Sequence, residues 1–463
     1  MTAFRPTSLT LALGAALSAA LCAPVHAQSL TELVESARTY DTTWQAARAQ
    51  LDAAARRADQ AQAGLLPSAA LTSGVTRAQT DVSRPDIERT ANTQTLGVNA
   101  SQPLYRPANR IALEQGQRGV DVAQAQLDAA TQDLLVRVSQ AYFDVLAAQD
   151  TLAFVQAQKT AVSEQLASAK RNFEVGTSTV TDSREAQARY DLVIAQEIAA
   201  ENDLRVKKLA LDQLVGVTNA QPVPLAQPVQ LPQVEPANVN HWVDLARDQQ
   251  PGVRQAAIAL HIARLETKKA ETGHRPTLDL QAGYNITRNP TGTISAPGVN
   301  SRTNVASVGV AFNLPLFAGF SVQNRVKETL ALETKAEADL ETARRNVAQA
   351  TRAAFFGVQS GQGQVQALEA AEASSQSALD ANKLGYQVGV RINIDVLNSQ
   401  SQLYQTKRDL AQARYNVLLG TLKLRQAAGT LTQEDVARIN GLLAPSPATG
   451  ATSTGTATGT KQP

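Results

Sequence analysis

Two stretches of this 463-residue chain contain no proline, one between Pro107 and Pro222 and one between Pro315 and Pro445. Both are rich in Ala, Gln, Leu, Glu, Arg and Lys, residues that lose little on entering a helix, and Pro107 suits a first helical turn. Residues 108–172 and 319–385 would each form a helix about 100 Å long at about 1.5 Å per residue, with Gly357 to Gly363 a candidate bend in the second. A Val-Gly pair stops each run, at 175–176 and at 388–389, and new helices are expected from Thr181-Asp182 and from Asn393 to Asp395. The two stops are copies of one another. FEVGTSTVTDSREAQ (173–187) and YQVGVRINIDVLNSQ (386–400) share an aromatic-x-Val-Gly start, and Phe173, Gly176 and Asp182 match Tyr386, Gly389 and Asp395 at an offset of 213.

The copying reaches further. LTELVESAR (30–38) aligns with VNHWVDLAR (239–247), Pro67 with Pro276, Pro103 with Pro315, and Ala141-Tyr142-Phe143 with Ala354-Phe355-Phe356. Before each long helix lie two segments that alternate apolar and polar residues: LPSAALTSGV (66–75) and LGVNASQPLY (96–105), then LDLQAGYNIT (278–287) and SVGVAFNLPLF (307–317). Period-two segments of about ten residues with one apolar face suit either membrane-barrel strands or an exposed antiparallel sheet. Each half therefore predicts a helix, two strands, a long helix, a turn and a second helix. The first repeat covers 28–217, the second 239–440, and a linker at 218–238 carries five prolines and reads as an extended strap. Residues 441–463 read as a disordered tail rich in Thr, Gly, Ala, Ser and Pro.

In the last helix Val396, Leu403, Leu410, Val417 and Leu424 fall seven apart, and Leu397, Tyr404, Ala411 and Leu418 form a second row beside them. Two adjacent rows with polar residues elsewhere let a helix touch neighbours on two sides and stay wet on the rest, as a stave in a wall does. The low aromatic content, 4%, agrees with narrow helix packing.

Residues 1–27 read as a signal peptide. Arg5 precedes the apolar run Leu9 to Ala23, and VHA before Gln28 is a small-residue cleavage site. Cys22 raises a lipoprotein alternative, but Ala-Ala-Leu precedes it instead of a Leu-x-small box. Cleavage at Ala27 would leave an exported chain without cysteine. No later run is long and apolar enough for a spanning helix, so entry into a membrane would require a β-barrel. Four strands cannot close one, because the smallest single-chain outer-membrane barrels have about eight. A membrane reading needs strands pooled from several copies.

FEVGTSTVTDSREAQARYD (173–191), GHRPTLDL (273–280), AFNLPLFAGF (311–320) and GYQVGVRINIDVLNSQSQLYQTKRDLAQARYN (385–416) resemble the TolC family of outer-membrane channels, over about residues 28 to 440. The resemblance implies a mostly α chain with membrane β: a homotrimer whose twelve-stranded outer-membrane β-barrel is continuous with a long periplasmic α-helical barrel. It implies an exit duct for drug efflux or type I protein secretion, docked to a periplasmic adaptor (membrane fusion) protein and an inner-membrane ABC or RND transporter, with outer-membrane lipid around the barrel. It also assigns roles at the tip. Thr181 and Asp182 would bond Tyr386 and Arg391 to close a periplasmic gate. Asp395 would face the pore at its narrowest ring, and Asn398 stands where relatives carry a second acid. Gly176 and Gly389 would present the tip turns to the adaptor. Lys383 stands where an acidic latch residue is often found, with Gln165 as its expected neighbour.

A formal charge of +2 and the absence of basic blocks argue against nucleic acid. His241, His261 and His274 show no metal-ligand spacing, and HExxH, P-loop and GxSxG motifs are missing, so no enzyme, cofactor or metal site is expected. The rival reading is a soluble periplasmic coiled-coil rod capped by an exposed sheet.

Overall fold

The structure is a computed structural model that describes residues 28–83, 86–226, 228–229 and 231–444. The signal peptide expected at 1–27 lies outside the described residues. In order, the elements are α1 (Leu30–Tyr40), α2 (Thr42–Ala63), β1 (Ser68–Ser83), β2 (Asp86–Tyr105), α3 (Pro107–Glu174), α4 (Val180–Val215), α5 (Val239–Gln249), α6 (Pro251–Glu271), β3 (Thr277–Asn289), β4 (Ser301–Asn313), α7 (Ser321–Gln387), α8 (Asn393–Ala427) and α9 (Gln433–Asn440). Two short helices, two strands, a long helix and a shorter helix thus occur twice in succession. Where one helix was expected before each strand pair there are two, because Asp41 in extended conformation and Gln250 before Pro251 interrupt the run. Helix α7 runs through Gly357, Gly361 and Gly363 without a break.

The chain divides into two compact units. One, made of residues 46–130 and 247–349, holds the sheet. Its four strands pair antiparallel in the order β1-β2-β3-β4, which leaves β1 and β4 as open edges. Register puts Leu71, Val98, Tyr284 and Ala306 in one row, with Ala69, Ala100, Ala282 and Val308 beside it, then Leu280 with Val310, and Tyr105 with Leu278 and Phe312. Since paired residues share a face, these rows form an apolar band. Nothing among the described residues covers it: Leu71 is 71% exposed, Val308 79% and Phe312 65%. The opposite face carries Thr72, Gly97 and Asn285, then Asn99, Gly283 and Ser307, then Ser101, Gln281 and Gly309. At Gly97 a Cβ would stand 1.9 Å from Asn285 Oδ1, so any side chain there would have to displace the Asn285 amide. At the helical end of the sheet Arg106 binds Asp279 through two hydrogen bonds of 2.8 and 2.7 Å.

The strands outrun the segments expected from alternation. Residues 76–83 and 86–93 are dominated by Thr, Asn, Gln, Arg and Asp, so hydrophobic periodicity fades there while backbone pairing continues. The fourth strand begins six residues earlier than expected and stops at Asn313. Pro315 cannot donate to a ladder, so Leu314 to Phe317 fall outside it.

The second unit contains the linker, α4, α8 and the parts of α3 and α7 from residues 131 and 350 onward. Its core gathers Tyr142, Phe143 and Tyr415, with the last two rings stacked at 5.7 Å. The Tyr142 hydroxyl accepts from Val223 N–H at 2.8 Å and donates to Val223 C=O at 2.9 Å, pinning the linker to α3. Residues 441–444, assigned to the tail on sequence, are also tied to the linker: Leu225 bridges Leu443, and Ala444 N–H donates to Pro224 C=O at 2.8 Å. The rest of the tail, 445–463, lies outside the described residues. Close by, Tyr415 Oη donates to Asp150 Oδ2 at 2.7 Å. Burial raises the Asp150 carboxyl above the usual carboxylate range, and the tyrosine bond only partly offsets this. Its folded pKa therefore exceeds its unfolded one, and the penalty for burying the charge grows as pH rises through that range. Asp150→Asn keeps an acceptor for Tyr415 and should raise thermal stability at pH 7. The gain should vanish at pH values below the usual carboxylate range, as melting curves across pH would show.

Candidate functional site

The tips of the two hairpins lie in this same unit. After α3, Gly176 takes φ +78, and after α7, Gly389 takes φ +77. Thr177 N–H donates to Asn172 C=O at 2.8 Å, and Val390 N–H donates to Gly385 C=O at 2.9 Å. These are the same helix-ending turn 213 residues apart, with an N–H five residues on reaching back to a free carbonyl. A Cβ at either glycine would meet nothing within 4 Å, so the left-handed backbone alone calls for glycine.

The residues that follow differ, and the difference separates the two matching acids. Helix α4 starts from Thr179, whose hydroxyl accepts from Asp182 N–H at 3.2 Å while Asp182 Oδ2 accepts from Thr179 N–H at 3.1 Å. Ser178 Oγ donates to the same carboxylate oxygen at 2.7 Å. Partial burial raises this carboxyl, but the bonds from Ser178 and Thr179 outweigh it and hold it below the usual carboxylate range. At the second tip Arg391 and Ile392 replace Ser178 and Thr179 in register, so Asp395 has no hydroxyl to accept from. Its carboxylate instead stands 3.7 Å from Arg391 Nη1, with the arginine side chain 59% exposed. Asn398, the exposed residue one turn on, accepts from Arg189 Nη2 at 2.9 Å.

The two hairpins are joined just behind the tips. Leu397 of α8 is buried with Val155, Val162, Leu166 and Ala169 of α3 and with Ala186 and Val193 of α4. Leu379, Val396 and Leu403 form a second cluster against Tyr386. Polar links lie beside these clusters. Gln165 Nε2 donates to Asn393 Oδ1, Asn393 Nδ2 donates to Asp182 C=O at 3.3 Å, and Asn172 Nδ2 donates to Tyr386 Oη at 3.1 Å.

Within one chain Asp182 bonds neither Arg391 nor Tyr386. The chain does bring together Asp395 with Arg391, Asn398 with Arg189, and Tyr386 with Asn172. Gln165, expected beside Lys383, holds Asn393 instead, because Asn393 is buried at the start of α8 and needs a partner. Thr179 was missed on sequence, although Thr-x-x-Asp at 179–182 is a capping-box pattern. Asn172 and Asn393 had no local signal, since their partners lie more than 200 positions away. No described helix is long and apolar enough to cross a membrane, and the described residues contain no cluster of metal-ligating side chains.

Comparison with known proteins agrees with this architecture. The sequence profile described as outer membrane efflux protein matches residues 33–217 and 242–430. Outer membrane protein TolC of Vibrio cholerae is 34% identical over 436 residues, covering 94% of this chain and 97% of that protein. The alkaline protease secretion protein AprF of Pseudomonas aeruginosa is 30% identical over 409 residues, covering 86% and 83%. The CmeC outer membrane channel of Campylobacter jejuni shares the fold, with a TM-score of 0.74 at 17% identity over 90% of each chain. With both halves inside the profile and relatives matched nearly end to end, the chain belongs to the outer membrane efflux protein family, that of the TolC-type channels.

Proposed function

We propose that this chain is the outer-membrane exit duct of an efflux or secretion system. Three copies pool twelve strands into one barrel in the outer membrane, and their helical hairpins form an α-barrel extending into the periplasm. The carrying observation is the four-stranded sheet itself, with an uncovered apolar face, a polar face and two open edges. From the Leu278–Phe312 row to the Ile286 row the band runs about 27 Å along the strands, or about 20 Å in height at a tilt of about 40°. That approaches the apolar height of an outer-membrane barrel. Closure with further copies would satisfy both edges, as lipid demands, and turn the polar face toward a wet lumen. The family description, outer membrane efflux protein, and the name of a relative, an alkaline protease secretion protein, support both efflux and protein secretion as duties.

The hairpin tips form the gate. Since Asp182 and Arg391 do not meet within a chain, the latch of Thr181 and Asp182 with Tyr386 and Arg391 acts between copies. Asp395 and Asn398 line the constriction, where one ring of acids in place of two gives modest cation preference. The turns at Gly176 and Gly389 face a periplasmic adaptor, which connects the duct to an inner-membrane ABC or RND transporter.

The decisive measurement is the mass of the particle extracted by detergent from the outer-membrane fraction. Three chains are expected. A soluble monomer or dimer would replace the duct with a periplasmic rod.

A further inference from the structure

On the apolar face of the sheet the band ends in a row of opposite character. Gln94 pairs with Arg288, and Arg288 pairs with Arg302. One step further out on β1, on the same face, stands Arg77, opposite Asn92. All three arginines are exposed. They lie at the hairpin end of the sheet, away from the strand ends that lead into helices, with Arg288 and Arg302 directly above the row that holds Leu96 and Ile286 and Arg77 one row further out.

Arg288 and Arg302 face each other across neighbouring strands, with Cβ atoms about 5 Å apart, where like charges repel. Among the described residues none of the three has a salt-bridge partner. Arg302 Nε donates to Asn304 Oδ1 at 3.3 Å, which satisfies a donor without neutralising a charge. The loop that joins β3 to β4, residues 290–300, contains no acid. The acids further out on this face, Asp81 and Glu88, are paired across β1 and β2. Asp81 is four residues beyond Arg77, about 13 Å along the strand. The positive charge is therefore concentrated in two adjacent rows, on the outward face, at the rim of the apolar band.

We infer that Arg77, Arg288 and Arg302 form a docking site for the phosphorylated headgroup of a lipid in the outer leaflet, whose acyl chains lie along the apolar band below. The site rests on the barrel reading given above, which turns this face to lipid and this end outward. Arginine suits the task because its planar fork binds two phosphate oxygens at once and its stem packs on apolar surface while the head reaches the interface. Basic residues at a membrane surface attract anionic headgroups in the same way. A phosphate between Arg288 and Arg302 converts their repulsion into two charge-assisted pairs.

The test uses the full-length protein extracted from membranes, stripped of lipid and returned to mixed micelles with bis-phosphorylated lipid A or with its dephosphorylated form. Native mass spectrometry counts the lipid retained, and heat-modifiable gel migration reports the folded barrel in the same samples. The wild type should retain the phosphorylated lipid about tenfold better, and R288Q/R302Q should lose most of that preference while its barrel stays folded. R77Q should reduce it by a smaller factor. Equal retention of the two lipids by a folded wild-type barrel, or an unchanged preference in R288Q/R302Q, would overturn the site alone. Displacement of the lipid by millimolar inorganic phosphate would overturn the lipid assignment in favour of a free-anion site. A wild-type chain with no barrel on the gel would instead remove the membrane reading, and the site with it.

Discussion

Gln412→Pro should abolish assembled particles in the outer membrane, while Gln412→Ala should leave them at normal levels. Gln412 is exposed on α8, so the substitution spares the buried row of Val396, Leu403, Leu410, Val417 and Leu424. What proline removes is the backbone N–H bond to the Arg408 carbonyl, and its ring clashes with that carbonyl, at a cost of about 3 kcal/mol or more relative to alanine. Geometry multiplies the damage. Asp395 lies seventeen residues toward the tip, about 25 Å along the axis, so a kink of about 20° would displace it by about 9 Å. The Leu397 cluster that joins the two hairpins, and the Val396 cluster that packs α8 on α7, could not survive such a shift. A folded, assembled Gln412→Pro protein, seen as heat-modifiable particles of normal mass, would mean that α8 is not a continuous stave.

How much of this was legible beforehand varies with the kind of signal. The two long helices could be read because proline is absent over more than a hundred positions and helix formers fill them, a signal no local competitor disrupts. The turns at Gly176 and Gly389 could be read because Val-Gly recurs at one offset and glycine alone accepts the required φ without strain. Strands could be read only where alternation is strong. Leu96 to Tyr105 was found, but Asp86 to Thr95 was not, because a strand polar on both faces looks like loop in one dimension. The acids of the site were legible from the repeat, yet their partners were not. Asp182 turned out to serve its own helix start through Thr179 and Ser178, whereas Asp395, lacking those hydroxyls, turned to Arg391. Asn393 and Gln165 are 228 positions apart and neighbours only once the hairpins pack. Their pairing belongs to tertiary structure, so short-range patterns carry no trace of it.

Opening of the gate should follow loss of charge at the tip and not loss of the helix cap, and the geometry allows the two to be separated. Asp182→Asn retains an oxygen for Thr179 N–H and so retains most of the cap, but removes the charge that would face Arg391 of another copy. Arg391→Ala removes the other charge and leaves α4 untouched. Each should raise single-channel conductance severalfold in planar bilayers, and the double variant should rise no further than the larger single, since both break one interaction. Thr179→Ala is the counterpart: it costs the cap about 1 kcal/mol and should leave conductance near the wild-type value. The pH dependence supplies an independent check. Hydrogen bonds hold the Asp182 carboxyl below its unfolded pKa, so its contribution is complete above the usual carboxylate range and is lost as pH falls through the lowered value. Wild-type conductance should therefore rise only in strong acid, and Asp182→Asn should show a flat profile. Thr179→Ala opening the channel as far as Arg391→Ala would place the gate in the stability of the α4 start. Additive effects of Asp182→Asn and Arg391→Ala would mean that the two residues act on separate contacts, so that no single pair closes the tip.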